Sequence, residues 1–328
     1  MTETIPVALF NRHSLELDAA CEVERIVQFL QENVQHKLHR QGAVLGISGG
    51  IDSSVVMALC VRAFGAQRVI GILLPERESS PESAKLAHLL AHQFSVQTVT
   101  EDITAALEGA GCYRRRDEAV KRVFPDFEPD WKSKITLPGN LLAEDRLNIF
   151  SLTVVKPDGS EQTQRLPLRE FAQIVASSNF KQRARMSMLY YHAELRNYAV
   201  IGTPNKNERD MGFFVKFGDG GADINPIGHL FKTQVFQLAR FLDIPAEIQQ
   251  RPPTTDTYSA GSTQEEFFYR IPFNILDSVW LGYERGVSRS EIAAALDLTV
   301  DQVARVIADI ERKHRTTEYL RMHPINLD

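Results

Sequence analysis

The stretch Gly46-Ile47-Ser48-Gly49-Gly50-Ile51-Asp52-Ser53-Ser54 follows the short apolar run Ala43-Val44-Leu45 and precedes Val55-Val56-Met57-Ala58-Leu59-Cys60. A brief apolar run, then glycines, then a longer apolar segment reads as a strand, a turn and a helix. Gly49 and Gly50 let the backbone approach a ligand closely. The hydroxyls of Ser48, Ser53 and Ser54 can donate to anionic oxygens, and the helix behind them directs its positive end the same way. Together they describe a phosphate cradle. The Lys that closes a Walker loop is absent, and Asp52 stands there instead. A carboxylate beside a phosphate needs a cation between them, which makes Asp52 a candidate Mg²⁺ ligand.

Outward from the loop, strands and helices alternate. Leu17 to Leu38 repeats apolar residues at helical spacing, Val69 to Leu74 reads as a second buried strand, Pro81 to Phe94 as a helix and Val96 to Thr100 as a third strand. A long helix through Met186 to Leu195, a strand at Tyr198 to Thr203 and the glycine-rich Phe217 to Asp223 repeat the theme. The pattern predicts an α/β fold, a doubly wound parallel sheet with helices on both faces, formed by one domain over 1–328. Such sheets bind ligands beyond the carboxyl ends of their strands, where both glycine clusters fall. Residues 113–168 break the rhythm: the first part is polar and mixed in charge, and the second reads as a hairpin around Pro157-Asp158-Gly159, so the whole is an inserted flap. The segment 275–328 is helical. Its helices at Ser288 to Leu298 and Val300 to His314 could pass for a helix-turn-helix, but Asp301, Asp309 and Glu311 on the second would oppose a phosphate backbone, and a packing pair is the better account.

The chain has 328 residues, 43% hydrophobic, with a net charge of -5 and a pI near 6.0. No basic excess points to nucleic acid or a membrane surface. No apolar run reaches the roughly 18 residues of a membrane span, and no signal-peptide layout is expected. Cys21, Cys60 and Cys112 form neither a C-x-x-C pair nor a disulfide framework. A cytoplasmic protein with reduced thiols is the expectation.

The second half supplies cations and acids among glycines and hydroxyls. Lys181, Arg183, Arg185, Lys206, Lys216 and Lys232 suit several phosphates, and Glu208, just past the strand end at Thr203, can share a Mg²⁺ ion with Asp52 or serve as an ordinary helix N-terminal acid. Asp219 and Asp223 sit in a glycine-rich turn that could hold an ammonium ion or an amide edge.

The Ser-Gly-Gly-x-Asp-Ser pattern resembles the pyrophosphate loop of the N-type ATP pyrophosphatases, which implies the adenine nucleotide α-hydrolase-like sheet and adenylation of a substrate. Asn179 to Met186, Gly202 to Glu208, Gly212 to Asp223, Pro226-Ile227-Gly228, Leu230 to Thr233 and Pro252-Pro253-Thr254 are similar in order and spacing to the NAD synthetase family. That resemblance implies ATP contacts from Gly46, Ile47, Ser48, Gly49, Gly50, Ile51, Asp52, Ser53, Thr203, Lys232 and Thr254. It implies Mg²⁺ on Asp52 and Glu208, and deamido-NAD contacts from Arg183, Lys216 and Asp223. Asp219 matches the position of the ammonia pocket, so Asp52, Lys232 and Asp219 become the catalytic candidates. The implied reaction is amidation of deamido-NAD through an acyl adenylate, yielding NAD, AMP and pyrophosphate, by a homodimer. Free ammonia is the expected donor because no amidase domain precedes Gly46; a separate glutaminase subunit is the other route.

Three departures bear on the acceptor. The flap can close over ATP, extend a dimer contact or reshape the acceptor pocket. Tyr319-Leu320 stand where the family has a His-Lys pair, and Phe267, Phe268 and Tyr269 enrich with aromatics the stretch that follows the loop begun at Thr254-Thr255-Asp256-Thr257. The rival reading is a ligase of the same fold that amidates another carboxylate. A tRNA-modifying pyrophosphatase would call for reactive cysteines and a basic surface. A non-catalytic nucleotide-binding protein would be expected to lack the Asp52 and Glu208 carboxylates.

Overall fold

The computed structural model describes residues 10–137, 139–143, 150–254, 258–261 and 263–327; Thr255, Asp256, Thr257 and the side chain of Phe267 lie outside the described residues. Helix α1 (Ala19–Gln31) leads into β1 (Ala43–Gly46), α2 (Ile51–Phe64), β2 (Val69–Leu73), α3 (Pro81–Gln93) and β3 (Gln97–Thr100). The chain then leaves the sheet through α4 (Thr104–Gly109), α5 (Cys112–Val123), β4 (Lys132–Thr136), β5 (Ser151–Val155) and β6 (Glu161–Arg165). It returns along α6 (Leu168–Arg196) to β7 (Ala199–Val200), followed by α7 (Lys206–Met211), α8 (Lys232–Phe241) and α9 (Ala246–Gln250). Helices α10 (Phe273–Glu284), α11 (Arg289–Leu296), α12 (Val300–Thr316) and α13 (Glu318–Arg321) come last.

The main sheet has the order β3-β2-β1-β7, every pair parallel. Strands β1, β2 and β7 are apolar throughout because both faces are covered, whereas the edge strand β3 carries Gln97, Thr98 and Thr100. Ala43, Leu45 and Val69 face α1, α2, α3 and α8, while Val44, Ile70 and Val200 face Met186, Leu189 and Ala193 of α6. The strand-to-helix turn after β1 forces the backbone through a positive φ of 70° at Gly49, where a Cβ would lie 2.7 Å from the Ser83 carbonyl oxygen. Only glycine fits there.

The insertion is more ordered than its composition suggests. Strands β4, β5 and β6 form a separate antiparallel sheet in that order, with β5 and β6 joined across Pro157-Asp158-Gly159. Ile135, Leu152 and Val154 bury one face of it against Ala119 and Val120 of α5 and Ile174 of α6. The polar segment that opens the insertion begins with helix α5. In α5 the buried positions are Cys112, Tyr113, Arg116, Ala119 and Val120, a helical stripe whose middle member is an arginine. The C-terminal helices make their own core. Ile292 of α11 and Val303, Val306 and Ile310 of α12 pack on Leu276 and Val279 of α10. Asp309, read as a surface acid, is instead buried and paired with Arg270, Arg312 and Lys313. Among the described residues, no helix is long and apolar enough to cross a membrane.

Candidate active site

A cavity of about 850 Å³ opens at the carboxyl end of the parallel sheet. It is lined by every residue assigned above to ATP except Gly49, which turns away against Ser83. The loop hydroxyls bond to the loop itself: Ser53 Oγ and Ser54 Oγ donate to the Gly50 carbonyl at 3.1 and 2.8 Å, and the Gly50 N–H donates to Ser48 Oγ at 3.3 Å. Gly50 caps α2 in extended conformation, so the first N–H groups of that helix face the cavity mouth.

Asp52 is the meeting point of two distant segments. Its Oδ1 accepts from Asn205 Nδ2 at 3.0 Å, and its Oδ2 pairs with Lys232 Nζ, an ammonium 1% exposed. Asn205 and Glu208 form a capping box at the start of α7: Glu208 N–H donates to Asn205 Oδ1 and Asn205 N–H donates to Glu208 Oε2, both at 3.1 Å. The helix-terminal reading of Glu208 is thus correct, and it does not compete with the other one. The same carboxyl is half-buried beside Asp52, and its pKa is pushed up to about 8, by loss of solvent first and then by the Asp52 charge, with Lys232 opposing. Its second oxygen accepts from Gln264 Nε2 at 3.1 Å.

Two carboxylates that repel each other at the rim of a phosphate cradle fit a Mg²⁺ ion. Mg²⁺ is commonly held by one or two carboxylates with water and substrate phosphates completing the shell. Among the described residues, no group of three or more His, Cys, Asp or Glu side chains converges on a metal position, here or elsewhere.

Asp219 also lines the cavity. The Val215 N–H donates to its Oδ1 at 2.9 Å, and burial pushes its pKa up to about 6 against the pull of that hydrogen bond and of Arg185. The flap reaches the same cavity through Leu137 and Phe150, with Phe171 of α6 stacked on Phe150 at 4.5 Å between ring centroids. Phe268 lines it as well, whereas Tyr269 is wholly buried in the helical core.

The cations divide. Arg185 and Lys232 line the cavity. Lys181 does not, a correction: it is fully buried, with Nζ 2.9 Å from Glu76 and 2.8 Å from Glu78. Lys206 is likewise spent on Asp210 and Glu284, each at 2.9 Å. The three residues assigned to the acceptor, Arg183, Lys216 and Asp223, lie outside the cavity, on the outer surface of α6 and the adjoining loop. Arg183 Nε donates to the Lys216 carbonyl at 3.2 Å, and Asp223 accepts from Tyr190 OH at 2.9 Å and the Val200 N–H at 2.8 Å. Lys216 Nζ donates to the carbonyls of Tyr319 and Met322 at 2.9 and 2.8 Å, so it clasps the C-terminal segment. Gly212, with φ of 76°, lets that segment close in, since a Cβ there would lie 2.2 Å from Thr317 Cβ.

Sequence reasoning missed Asn205 and Gln264, which hold the two carboxylates, and Asn207 and Asp277, which lie behind Lys232. Asn205 carries a recognisable signal, an Asn three residues before a Glu at a helix start. Gln264 carries none.

The chain matches the family model for NAD synthase over residues 22–121 and 146–324, skipping part of the flap. It is 48% identical over 316 residues to the NH(3)-dependent NAD(+) synthetase of Rhizobium meliloti (strain 1021), an alignment spanning 96% of this chain and 94% of that one. Among solved structures it resembles the NH3-dependent NAD synthetase of Campylobacter jejuni, with a TM-score of 0.61 at 23% identity, covering 95% of this chain and 100% of the other. The NMN synthetase of Francisella tularensis gives a TM-score of 0.59 at 24% identity with the same coverages. Both structural likenesses speak to the fold.

Proposed function

This chain belongs to the NAD synthase family, and on that premise we propose that it amidates deamido-NAD with ammonia at the expense of ATP, releasing NAD, AMP and pyrophosphate. The observation that carries the reading is one cavity uniting the Gly46 to Ser53 loop with Asp52, Lys232, Glu208 and Asp219.

The loop N–H groups and hydroxyls bind the phosphates at the positive end of α2. A carboxylate oxygen of the nicotinate attacks the α-phosphorus; the bond to the bridging oxygen breaks, and pyrophosphate leaves with the electron pair. Lys232, held in place by Asp52, stabilises the charge that develops on the phosphate oxygens. Asp52 and Glu208 would hold a Mg²⁺ ion, which when bound supplies further neutralisation of those oxygens. In the second step ammonia attacks the acyl carbon, the acyl–oxygen bond breaks and AMP leaves. Asp219, a carboxylate above about pH 6, attracts ammonium into the cavity and accepts the proton it must lose to attack.

The acceptor residues fit a homodimer. Arg183, Lys216 and Asp223 share their surface with Tyr191, Leu195 and Phe217, exposed by 56%, 65% and 62%. Large exposed apolar side chains beside charged ones are the composition of an interface rather than of a free surface. A second copy seated there would bring these residues to a dinucleotide lying across the two chains.

The test is pyrophosphate release from ATP, Mg²⁺ and ammonium, with and without deamido-NAD, followed by mass analysis. Release that requires deamido-NAD and yields NAD is expected. Release with another nicotinate carboxylate in its place, and none with deamido-NAD, would overturn the acceptor and keep the ligase chemistry.

A further inference from the structure

Lys232 opens α8, and its own N–H finds its partner outside that helix. The residue before it, Phe231, offers no side-chain cap to the first N–H groups of the helix. Those groups are satisfied from two other elements. The Lys232 N–H donates to Asn207 Oδ1 of α7 at 2.9 Å, and the Thr233 N–H donates to Asp277 Oδ2 of α10 at 2.9 Å. Asn207 Nδ2 closes the circuit by donating to Asp277 Oδ1 at 2.6 Å. Asn207 and Asp277 are both 0% exposed, and neither lines the cavity.

We infer that Asp277 is a positioning residue for the adenylation step, setting through Asn207 and the first turn of α8 the place from which Lys232 reaches the phosphates. Three observations converge on it. A carboxylate at a helix N-terminus is favoured by the helix dipole and satisfies a donor the helix cannot. Asn207 has a fixed orientation, because its amide must offer oxygen to Lys232 and nitrogen to Asp277. Lys232 is therefore held at both ends, its backbone by Asn207 and its ammonium by Asp52. Burial raises the Asp277 pKa to about 6 while the Thr233 and Asn207 hydrogen bonds pull it back, which agrees with a group retained for what it holds. The circuit also ties α10 to the site, although that helix contributes nothing to the cavity wall.

The inference rests on the ligase reading, and the experiment separates the two. Asp277→Asn leaves one donor facing an amide N–H₂, and a misplaced group costs about 10- to 100-fold in rate. The expected result is a kcat lowered by about that factor, with KM for deamido-NAD unchanged. In a Lys232→Ala background, Asp277→Asn should lower kcat no further. The exchange Asn207→Asp with Asp277→Asn allows all three hydrogen bonds again and should recover most of kcat; it also serves if the single variant fails to fold. Wild-type kcat in Asp277→Asn, an equal further loss in the Lys232→Ala background, or an exchange variant with wild-type melting but no recovery would overturn the inference. Should the wild-type chain make no NAD and release pyrophosphate with no other nicotinate carboxylate either, the ligase reading fails. Calorimetric ATP affinity then decides on Asp277: weakening in Asp277→Asn to match that in Lys232→Ala supports it, and unchanged affinity in Asp277→Asn overturns it.

Discussion

Replacing Lys181 by Met should unfasten the loop that follows β2. Lys181 Nζ contacts Glu76 and Glu78 with side-chain exposures of 2%, 1% and 12%. Tyr113 OH donates to Glu76 at 2.7 Å, and Arg116 forks onto both Glu78 oxygens at 2.7 and 2.6 Å. Lys181, Arg116 and Arg77 balance Glu76, Glu78 and Asp117; without Lys181 one negative charge is left over. Arg116 still answers Glu78, so the uncompensated group is Glu76. Breaking a buried pair from one side typically costs about 3–5 kcal/mol, and at about 2 °C per kcal/mol for a chain of this size the melting temperature should fall by about 6–10 °C. Urea denaturation at pH 7, read by linear extrapolation, measures the loss directly. Adding Glu76→Gln should restore much of it, because the stranded charge is then gone. Since Ser79, Ser80 and Ser83 of the same loop and the helix start behind it line the cavity, KM for ATP should rise at temperatures where the variant is still folded. A loss below about 1 kcal/mol, the range of an exposed ion pair, or a double variant no more stable than the single one, would refute the reasoning.

Three further outcomes are expected. Asp52→Asn should lower pyrophosphate release by about 10²–10³-fold, the effect of removing one electrostatic contributor, with an unchanged circular dichroism spectrum; full activity would remove Asp52 from the site. Asp219 ionises at about 6 when folded against its ordinary 3.8, so the folded chain keeps a proton that the unfolded chain has already lost, and stability falls as pH rises through that window. Asp219→Asn should therefore be more stable than the wild type at pH 7 by about 2–3 kcal/mol, less active, and no longer more stable at pH values below the ordinary 3.8; equal urea midpoints at pH 7 would refute the burial argument. Leu195→Asp should halve the mass seen by sedimentation, and a wild-type chain that already sediments as a monomer would reject the dimer.

Legibility followed the range of the interactions. The loop from Gly46 to Ser54 could be read because its function is local: glycine torsions, hydroxyls and a helix start all lie within nine positions. The parallel sheet could be read because burial on both faces writes continuous apolar runs. Lys181 could not, since a lysine on a helix looks the same whether it meets phosphate or two glutamates about 100 positions away. Helix α5 was hidden by Arg116, a charged residue at an apolar position, and β4 by its lysines, which lie on an edge strand of a small sheet. Glu208 looked like a choice between cap and metal ligand, and the structure uses one carboxyl for the cap while setting it against Asp52. Asn207 and Asp277 were invisible because their meaning depends on which distant backbone groups need a partner, and Gln264 because its partner is a carboxylate 56 positions away.

The clasp on the C-terminal segment runs through main-chain carbonyls, its own and those of the elements it lies against. Lys216 holds the carbonyls of Tyr319 and Met322, and Arg321 adds bonds to the carbonyls of Arg209, Asp210 and His314. The fastening is thus indifferent to which side chains occupy positions 319 and 320. Tyr319 and Leu320 line the cavity while the strap is docked through other atoms, so this corner of the cavity is free to vary in what it recognises without renegotiating how it is attached.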